Sequence, residues 1–262
     1  MPNQIEIVVV SVFGSKSLPK LEHNLNELGL QCSILPATTP QSPEFVLPAE
    51  INLSPVEVAT SISHQRARAF ALEMGCDWAI ILEDDARILD GFKDIASLIE
   101  EIENRFGRDS ELAVHLYPEQ FGLLRSKFGE SFYRVVSLPD CAVGYAMNRK
   151  ALAASAAVQG IEFEVADWHS EIRKFTWLAP KASMVIHPDV CDIKVRSLTS
   201  DPRNKRIKAR SFIEKLVAYP FAKILILRIE WPHSQRYGYN SISSEKLRTR
   251  VFGTLKINKG NE

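Results

Sequence analysis

The chain opens on an unbroken apolar run, IEIVVVSVF from Ile5 to Phe13, rich in β-branched residues and with no polar face left over. A run of that kind predicts a strand buried on both faces, as central parallel strands are. The spacing then changes. In LPKLEHNLNELGL, Leu18, Leu21, Leu25 and Leu28 recur at helical intervals and stop at Gly29, after which QCSILPA reads as a second strand. Together these predict a βαβ unit.

Ser54 marks the start of a longer helix: it can cap, Pro55 suits the first turn, and Glu57 completes a Ser-x-x-Glu capping box. The pattern carries this helix to Met74, with Gly75 as its stop. Val56, Ala59, Ser63, Ala67, Phe70 and Met74 then form the face expected to pack on the sheet. CDWAIIL follows as the next strand. Beyond it, GFKDIASLIEEIENRFG reads as helix, ELAVHLYP and FYRVVSL as strands, and CAVGYAMN as a strand entering the helix RKALAASAAV. EFEVADWHSEI is a mixed segment, and ASMVIHP is a further strand. Strands alternating with helices predict an α/β fold, a Rossmann-type, mostly parallel sheet flanked by helices.

After Pro202 the pattern changes to RNKRIKARSFIEKLVAYPFAKILILRIEW, with basic residues interleaved among apolar ones and Pro220 ending or kinking any helix. The chain therefore divides into a domain over residues 1–200 and a basic, amphipathic, helical extension over 201–262. From Arg203 onward there are 14 Lys/Arg against Glu214, Glu230, Glu245 and Glu262, while the whole chain sums to zero. An acidic body with a basic end suits contact with an anionic surface, although a solvated helical face has the same composition. The apolar stretch Phe221 to Trp231 contains Lys223 and Arg228 and is too short to span a bilayer; it suits an interfacial segment or a packed helix pair. Phe212, Tyr219 and Phe221 do not make the interleaved stacking surface of a single-strand groove, so no nucleic-acid partner is expected.

With 262 residues, 45% of them apolar, the chain can build a substantial core. Cys32, Cys76, Cys141 and Cys191 are widely separated, which argues against a zinc site and for reduced thiols. MPNQIEIVVVSVFG has neither a cationic lead nor an apolar run of signal or membrane length, so a cytoplasmic location is expected.

The candidate chemistry lies in WAIILEDDARIL, Trp78 to Leu89, where Glu83, Asp84 and Asp85 follow a buried strand directly. Ligands of open α/β sheets bind beyond the carboxyl ends of the strands. Three adjacent carboxylates repel one another unless a cation offsets them. Mg²⁺ or Mn²⁺, which takes one or two carboxylates plus phosphate oxygens, is the simplest partner, and a solvated turn is the plain alternative. A phosphorelay receiver domain would also place acids behind a strand, but it needs a phosphoacceptor aspartate on a later one, and AVHLYP and RVVSLPD offer none before their ends.

LSPVEVATSISHQRARAFALEMGCDWAIILEDDARIL closely resembles the central signature of glycosyltransferase family 25, the lipopolysaccharide and collagen galactosyltransferases. The shared features are Leu53 and Glu57 at the helix start, the pair Ser63–His64, and the strand ending ILEDD. CAVGYAMNRKALAAS resembles the family's strand-and-helix segment, and VADW its later (V/I)DW element, so the likeness covers roughly residues 5–190. It implies a GT-A type nucleotide-sugar fold, a UDP-sugar donor (UDP-galactose), a lipo-oligosaccharide or other glycan acceptor, and inverting, metal-dependent hexosyl transfer.

On that resemblance Asp85 is the metal ligand, Glu83 or Asp84 orients the ribose or a metal-bound water, and Ser63 and His64 belong to the donor site, His64 as a supporting or structural residue behind it. Asp167 of VADW is the general base that deprotonates the acceptor hydroxyl, with Glu164 and Glu171 as alternatives. Trp168 is a stacking surface for the acceptor or a core residue, and His187 a later-strand metal ligand or a structural histidine. Arg66 and Arg68 meet phosphate or lie on a solvated face. The sequence lacks the family's D-R-R-like cluster after the first strand and has only Lys16 and Lys20 there. That departure motivates a second reading, a catalytically weakened nucleotide- or sugar-binding protein. The basic end would hold the protein at the inner face of the membrane as a peripheral protein.

Overall fold

The computed structural model of the chain describes residues 3–47, 53–118, 124–138, 141–158, 168–187 and 229–230. Strand β1 (Ile5–Ser11), helix α1 (Leu18–Glu27) and strand β2 (Ser33–Pro36) form the expected βαβ unit, with β1 and β2 paired in parallel. Helix α2 (Pro55–Glu73) opens on its capping box: the Glu57 carboxylate accepts from Ser54 N–H at 2.9 Å and the Ser54 hydroxyl accepts from Glu57 N–H at 3.4 Å. Gly75, at φ +76°, adopts the left-handed conformation that ends the helix. Strand β3 (Trp78–Glu83) then returns beside β1, parallel to it, with Val10 opposite Glu83.

The remaining elements are β4 (Arg87–Ile88), α3 (Ile95–Phe106), β5 (Leu112–His115), β6 (Leu124–Lys127), β7 (Phe132–Ser137), β8 (Gly144–Asn148), α4 (Arg149–Ala156), α5 (Ser170–Arg173), β9 (Thr176–Pro180), β10 (Val185–Ile186) and β11 (Ile229–Glu230). Among the described residues, nine strands make one sheet in the order β11-β6-β7-β9-β5-β8-β3-β1-β2, and β4 and β10 pair separately as an antiparallel ribbon. In the large sheet β2, β1, β3, β5, β9 and β6 run one way, and β8, β7 and β11 the other. This is the mixed, mostly parallel α/β architecture that the alternating pattern predicts.

Strand periodicity sorts the core into two layers. Ile7, Val9, Ile80 and Leu82 face Leu21 and Leu25 of α1 and Leu98, Ile99 and Ile102 of α3. Val8, Val10, Ile81 and Tyr145 face Ala67 and Ala71 of α2 and Ala151 and Leu152 of α4. Because side chains alternate along a strand, Glu83 falls in register with Ala79 and Ile81 and points toward the α2 side.

The buried face of α2 is rotated from the expected one. Val56, Phe70 and Met74 are only half-buried, whereas Glu57, Val58, His64, Arg68 and Ala71 are buried beside Ala59, Ser63 and Ala67. Apolar periodicity misplaces the face because two of its long polar residues, His64 and Arg68, find hydrogen-bond partners inside.

Other departures are local. Asp90–Asp94 is a 3₁₀ turn leading into α3, and ASMVIHP supplies only the two-residue β10 of the ribbon. Strands β6 and β9 are not foreseen: LRSK is polar, and TWLAP is short and ends in proline. Ile229 and Glu230, within the segment read as a helical extension, are extended and pair antiparallel with β6; the rest of 201–262 lies outside the described residues. Among the described residues no helix is long and apolar enough to cross a membrane.

Candidate functional site

At the carboxyl end of β3 the chain turns sharply: Asp84 N–H reaches Val10 C=O at 3.1 Å, and Ala86 N–H reaches Glu83 C=O at 3.0 Å. The turn sends the three neighbouring carboxylates to different places. Asp84 Oδ2 accepts from the Ser11 hydroxyl at 2.8 Å and from Val12 N–H at 3.1 Å, so this acid ties the ends of β1 and β3 together. Asp85 points to the β4–β10 ribbon, where Oδ2 lies 3.5 Å from His187 Nε2. The ribbon register, Arg87 opposite Ile186, brings His187 back to the start of the acidic turn.

Glu83, Asp85 and His187 each offer a ligand atom, and these atoms lie within 4.8 Å of one another, all three residues half-buried. The expected metal ligands Asp85 and His187 thus meet, and Glu83, expected to orient ribose or water, stands with them. Two carboxylates and an imidazole make a mixed oxygen–nitrogen donor set, which suits Mn²⁺ better than Mg²⁺ with its preference for oxygen. The residues fit a divalent ion.

Glu83 is also held from the other face of the sheet. His64, 1% exposed, sets Nε2 3.3 Å from Glu83 Oε1 and Nδ1 3.2 Å from the Tyr145 hydroxyl. Arg68, 3% exposed, donates from Nη1 to that same hydroxyl at 3.2 Å. Arg68 is therefore neither a phosphate contact nor on a solvated face. Tyr145 was not among the sequence candidates; the available signal was a single hydroxyl in the otherwise apolar strand CAVGYAMN, since a buried tyrosine hydroxyl requires a partner.

Ser63 has a scaffolding task. Its hydroxyl accepts from Thr38 N–H at 2.8 Å and reaches the Ala59 carbonyl at 2.8 Å, joining α2 to the loop after β2. Arg66 is bound to the same loop, donating to Thr38 Oγ1 at 2.9 Å with Glu44 at 3.8 Å. Lys16 and Lys20 are exposed on the loop leaving β1 and the first turn of α1.

Trp168 is a core residue and not an acceptor platform. It is fully buried and edge-on to Tyr145 at 4.9 Å and to Trp177 at 4.8 Å. Glu171 does not reach the acidic turn either. Exposed and paired with Lys174, which holds its carboxyl below the usual range, it borders a surface depression with Glu111 and Phe175 at the amino ends of β5 and β9, the far end of the sheet. Asp167 and Glu164 lie outside the described residues. A second depression, of about 300 Å³, is lined by Asp77, Glu103, Arg108 and Arg149 at the amino end of β3. Its polar groups are committed to the fold: Glu103 accepts from Arg108 and Trp78, Asp77 from Gln4 N–H, and Arg149 donates to Gly75 C=O.

The chain matches no protein-family model and no curated protein. Similar solved structures include A197 from STIV (TM-score 0.43, 13% identity, 69% of this chain and 83% of that one). Mannose-1-phosphate geranyltransferase from Thermus thermophilus overlaps with a TM-score of 0.39, 13% identity, and 71% and 76% coverage. A glycosyltransferase involved in glycosylation of the major capsid of PBCV-1 overlaps with a TM-score of 0.32, 14% identity, and 57% and 63% coverage. Overlaps of this size fix neither ligand nor reaction.

Proposed function

We propose that the protein is a metal-dependent glycosyltransferase of the family 25 kind, moving a hexose, galactose by the resemblance, from UDP to a hydroxyl of a lipo-oligosaccharide or other glycan with inversion. The observation that carries this reading is the convergence of Glu83, Asp85 and His187 within 4.8 Å beyond the carboxyl end of β3. That is where a sheet of this type receives its ligand, and it lies inside the sequence block that resembles the family.

These three residues would hold Mn²⁺, which supplies positive charge against the diphosphate that departs with the nucleotide. Asp84 keeps the β1 and β3 ends together beneath that position. In this reading Asp167 takes the proton of the acceptor hydroxyl as the sugar carbon is attacked from the face opposite the diphosphate. The basic extension keeps the enzyme at the inner leaflet, near lipid-linked acceptors.

The test is donor turnover. UDP-galactose and other UDP-sugars are incubated with the full chain and Mn²⁺, and UDP release is followed with and without a chelator. Release that depends on Mn²⁺ and is lost in Asp85→Ala supports the assignment. Wild-type turnover in Asp85→Ala refutes it. UDP binding seen by calorimetry with no turnover of any UDP-sugar would instead favour the weakened binding protein that the missing basic cluster suggests.

A further inference from the structure

Glu83 meets more than its metal-site neighbours. From it a line of buried polar groups runs inward, through His64 on α2 and Tyr145 on β8 to Arg68, one turn further along α2. His64 and Arg68 are four residues apart and so share a face of the helix. Tyr145 stands opposite Ile81 on the neighbouring strand, on the side of the sheet to which Glu83 also points.

We infer that Arg68, Tyr145 and His64 form a buried hydrogen-bonded chain whose task is to hold the Glu83 carboxylate in position as a metal ligand. This inference rests on the metal-site reading above.

The direction of the bonds follows from what each group can offer. Guanidinium only donates, so the Tyr145 oxygen accepts from Arg68. An ionised carboxylate only accepts, so His64 carries a hydrogen on Nε2 and donates it to Glu83. Nδ1 pairs with the Tyr145 hydroxyl, so the three contacts run in sequence from Arg68 to Glu83. Each donor in such a chain polarises the next, which strengthens the bond delivered to the carboxylate.

Arg68 supplies the second argument. Its side chain is almost fully buried, makes no ion pair among the described residues, and leaves Nε without a hydrogen-bond partner among them. A buried cation is costly unless something offsets it. The hydrogen bonds leading from Arg68 end on an anionic side chain, Glu83. The edge of Trp168 against the Tyr145 ring, at 4.9 Å and 74°, fixes the phenol in the middle of the chain.

Groups that orient a metal ligand from behind change metal affinity by about 10–100-fold when removed. The experiment is therefore Mn²⁺ binding to the full-length protein, read from the loss of the free Mn²⁺ electron paramagnetic resonance signal, with thermal melts in metal-free buffer as the folding control. His64→Leu and Tyr145→Phe should each weaken Mn²⁺ binding by about 10–100-fold, with the folded state retained. His64→Gln, whose amide can still donate to Glu83, should recover most of the affinity. Wild-type Mn²⁺ affinity in folded His64→Leu and Tyr145→Phe overturns the inference, as does a His64→Gln variant no better than His64→Leu. If His64→Leu fails to fold, Tyr145→Phe, which removes a single oxygen, decides the matter. Absence of Mn²⁺ binding in the wild type overturns the metal-site reading and the inference together.

Discussion

Among the described glycines, Gly144, at the start of β8, leaves the least room for an added carbon. It lies opposite Leu82 and beneath the β4–β10 ribbon. A Cβ there would stand 2.7 Å from Val185 Cγ2 and 3.1 Å from Leu82 Cδ2. Carbon atoms at rest sit about 3.5–4.0 Å apart, so Gly144→Ala forces a separation of about 1 Å. Val185 cannot turn away easily, since it is fully buried and β-branched. Its backbone is pinned, with Val185 N–H on Leu116 C=O at 3.3 Å and the preceding Met184 N–H on the same carbonyl at 2.9 Å. The displacement passes to the ribbon and from there to His187, two residues on.

Overpacking of this kind costs about 1–3 kcal/mol, and in a chain of this size each kcal/mol lowers Tm by about 2–4 °C. Because His187 must stay near Asp85, Mn²⁺ affinity should fall as well. Thermal melts and Mn²⁺ titrations of wild type and Gly144→Ala test both effects. A variant with wild-type Tm and wild-type affinity refutes the packing argument. A lowered Tm with unchanged affinity shows that the ribbon does not place His187.

Two further outcomes are expected. Asp84→Ala removes a carboxylate that accepts from the Ser11 hydroxyl and Val12 N–H; it should cost about 1.5–3 kcal/mol, the worth of hydrogen bonds to a charged group, seen as a lower Tm with Mn²⁺ affinity near wild type. Lost Mn²⁺ binding at unchanged Tm would make Asp84 itself a ligand. His115 is fully buried between Cys141 C=O and Tyr117 N–H, and burial pushes it down from its ordinary 6.5 to about 4. The unfolded chain takes up this proton below pH 6.5 and the folded chain only near pH 4. The contribution is therefore intact above pH 6.5 and lost as the pH falls toward 4, by about 3 kcal/mol. Urea melts between about pH 7 and pH 4 should show that loss in the wild type and a flatter profile in His115→Gln; equal slopes would refute it.

Much of the fold was legible along the chain. Apolar runs marked β1 and β3, the Ser54–Glu57 pair marked the start of α2, and the glycines at 29 and 75 marked helix ends, because each signal is read within a few residues of itself. The same local logic put an acidic cluster at the end of a buried strand. It could not divide the work among the three acids: Glu83 follows the strand's alternation toward α2, Asp84 turns back to Ser11, and Asp85 faces the ribbon. Nor could it show that Arg68 is buried or what His64 touches, since periodicity along one helix does not name the partners of a polar side chain. Those partners, Tyr145 on β8 and Glu83 on β3, are distant in sequence and adjacent only because β8 lies beside β3 in the sheet. Periodicity within one element determines which of its residues share a face. Which faces meet, and so which side chains can share a proton or an ion, is decided by strand order and register across the whole sheet.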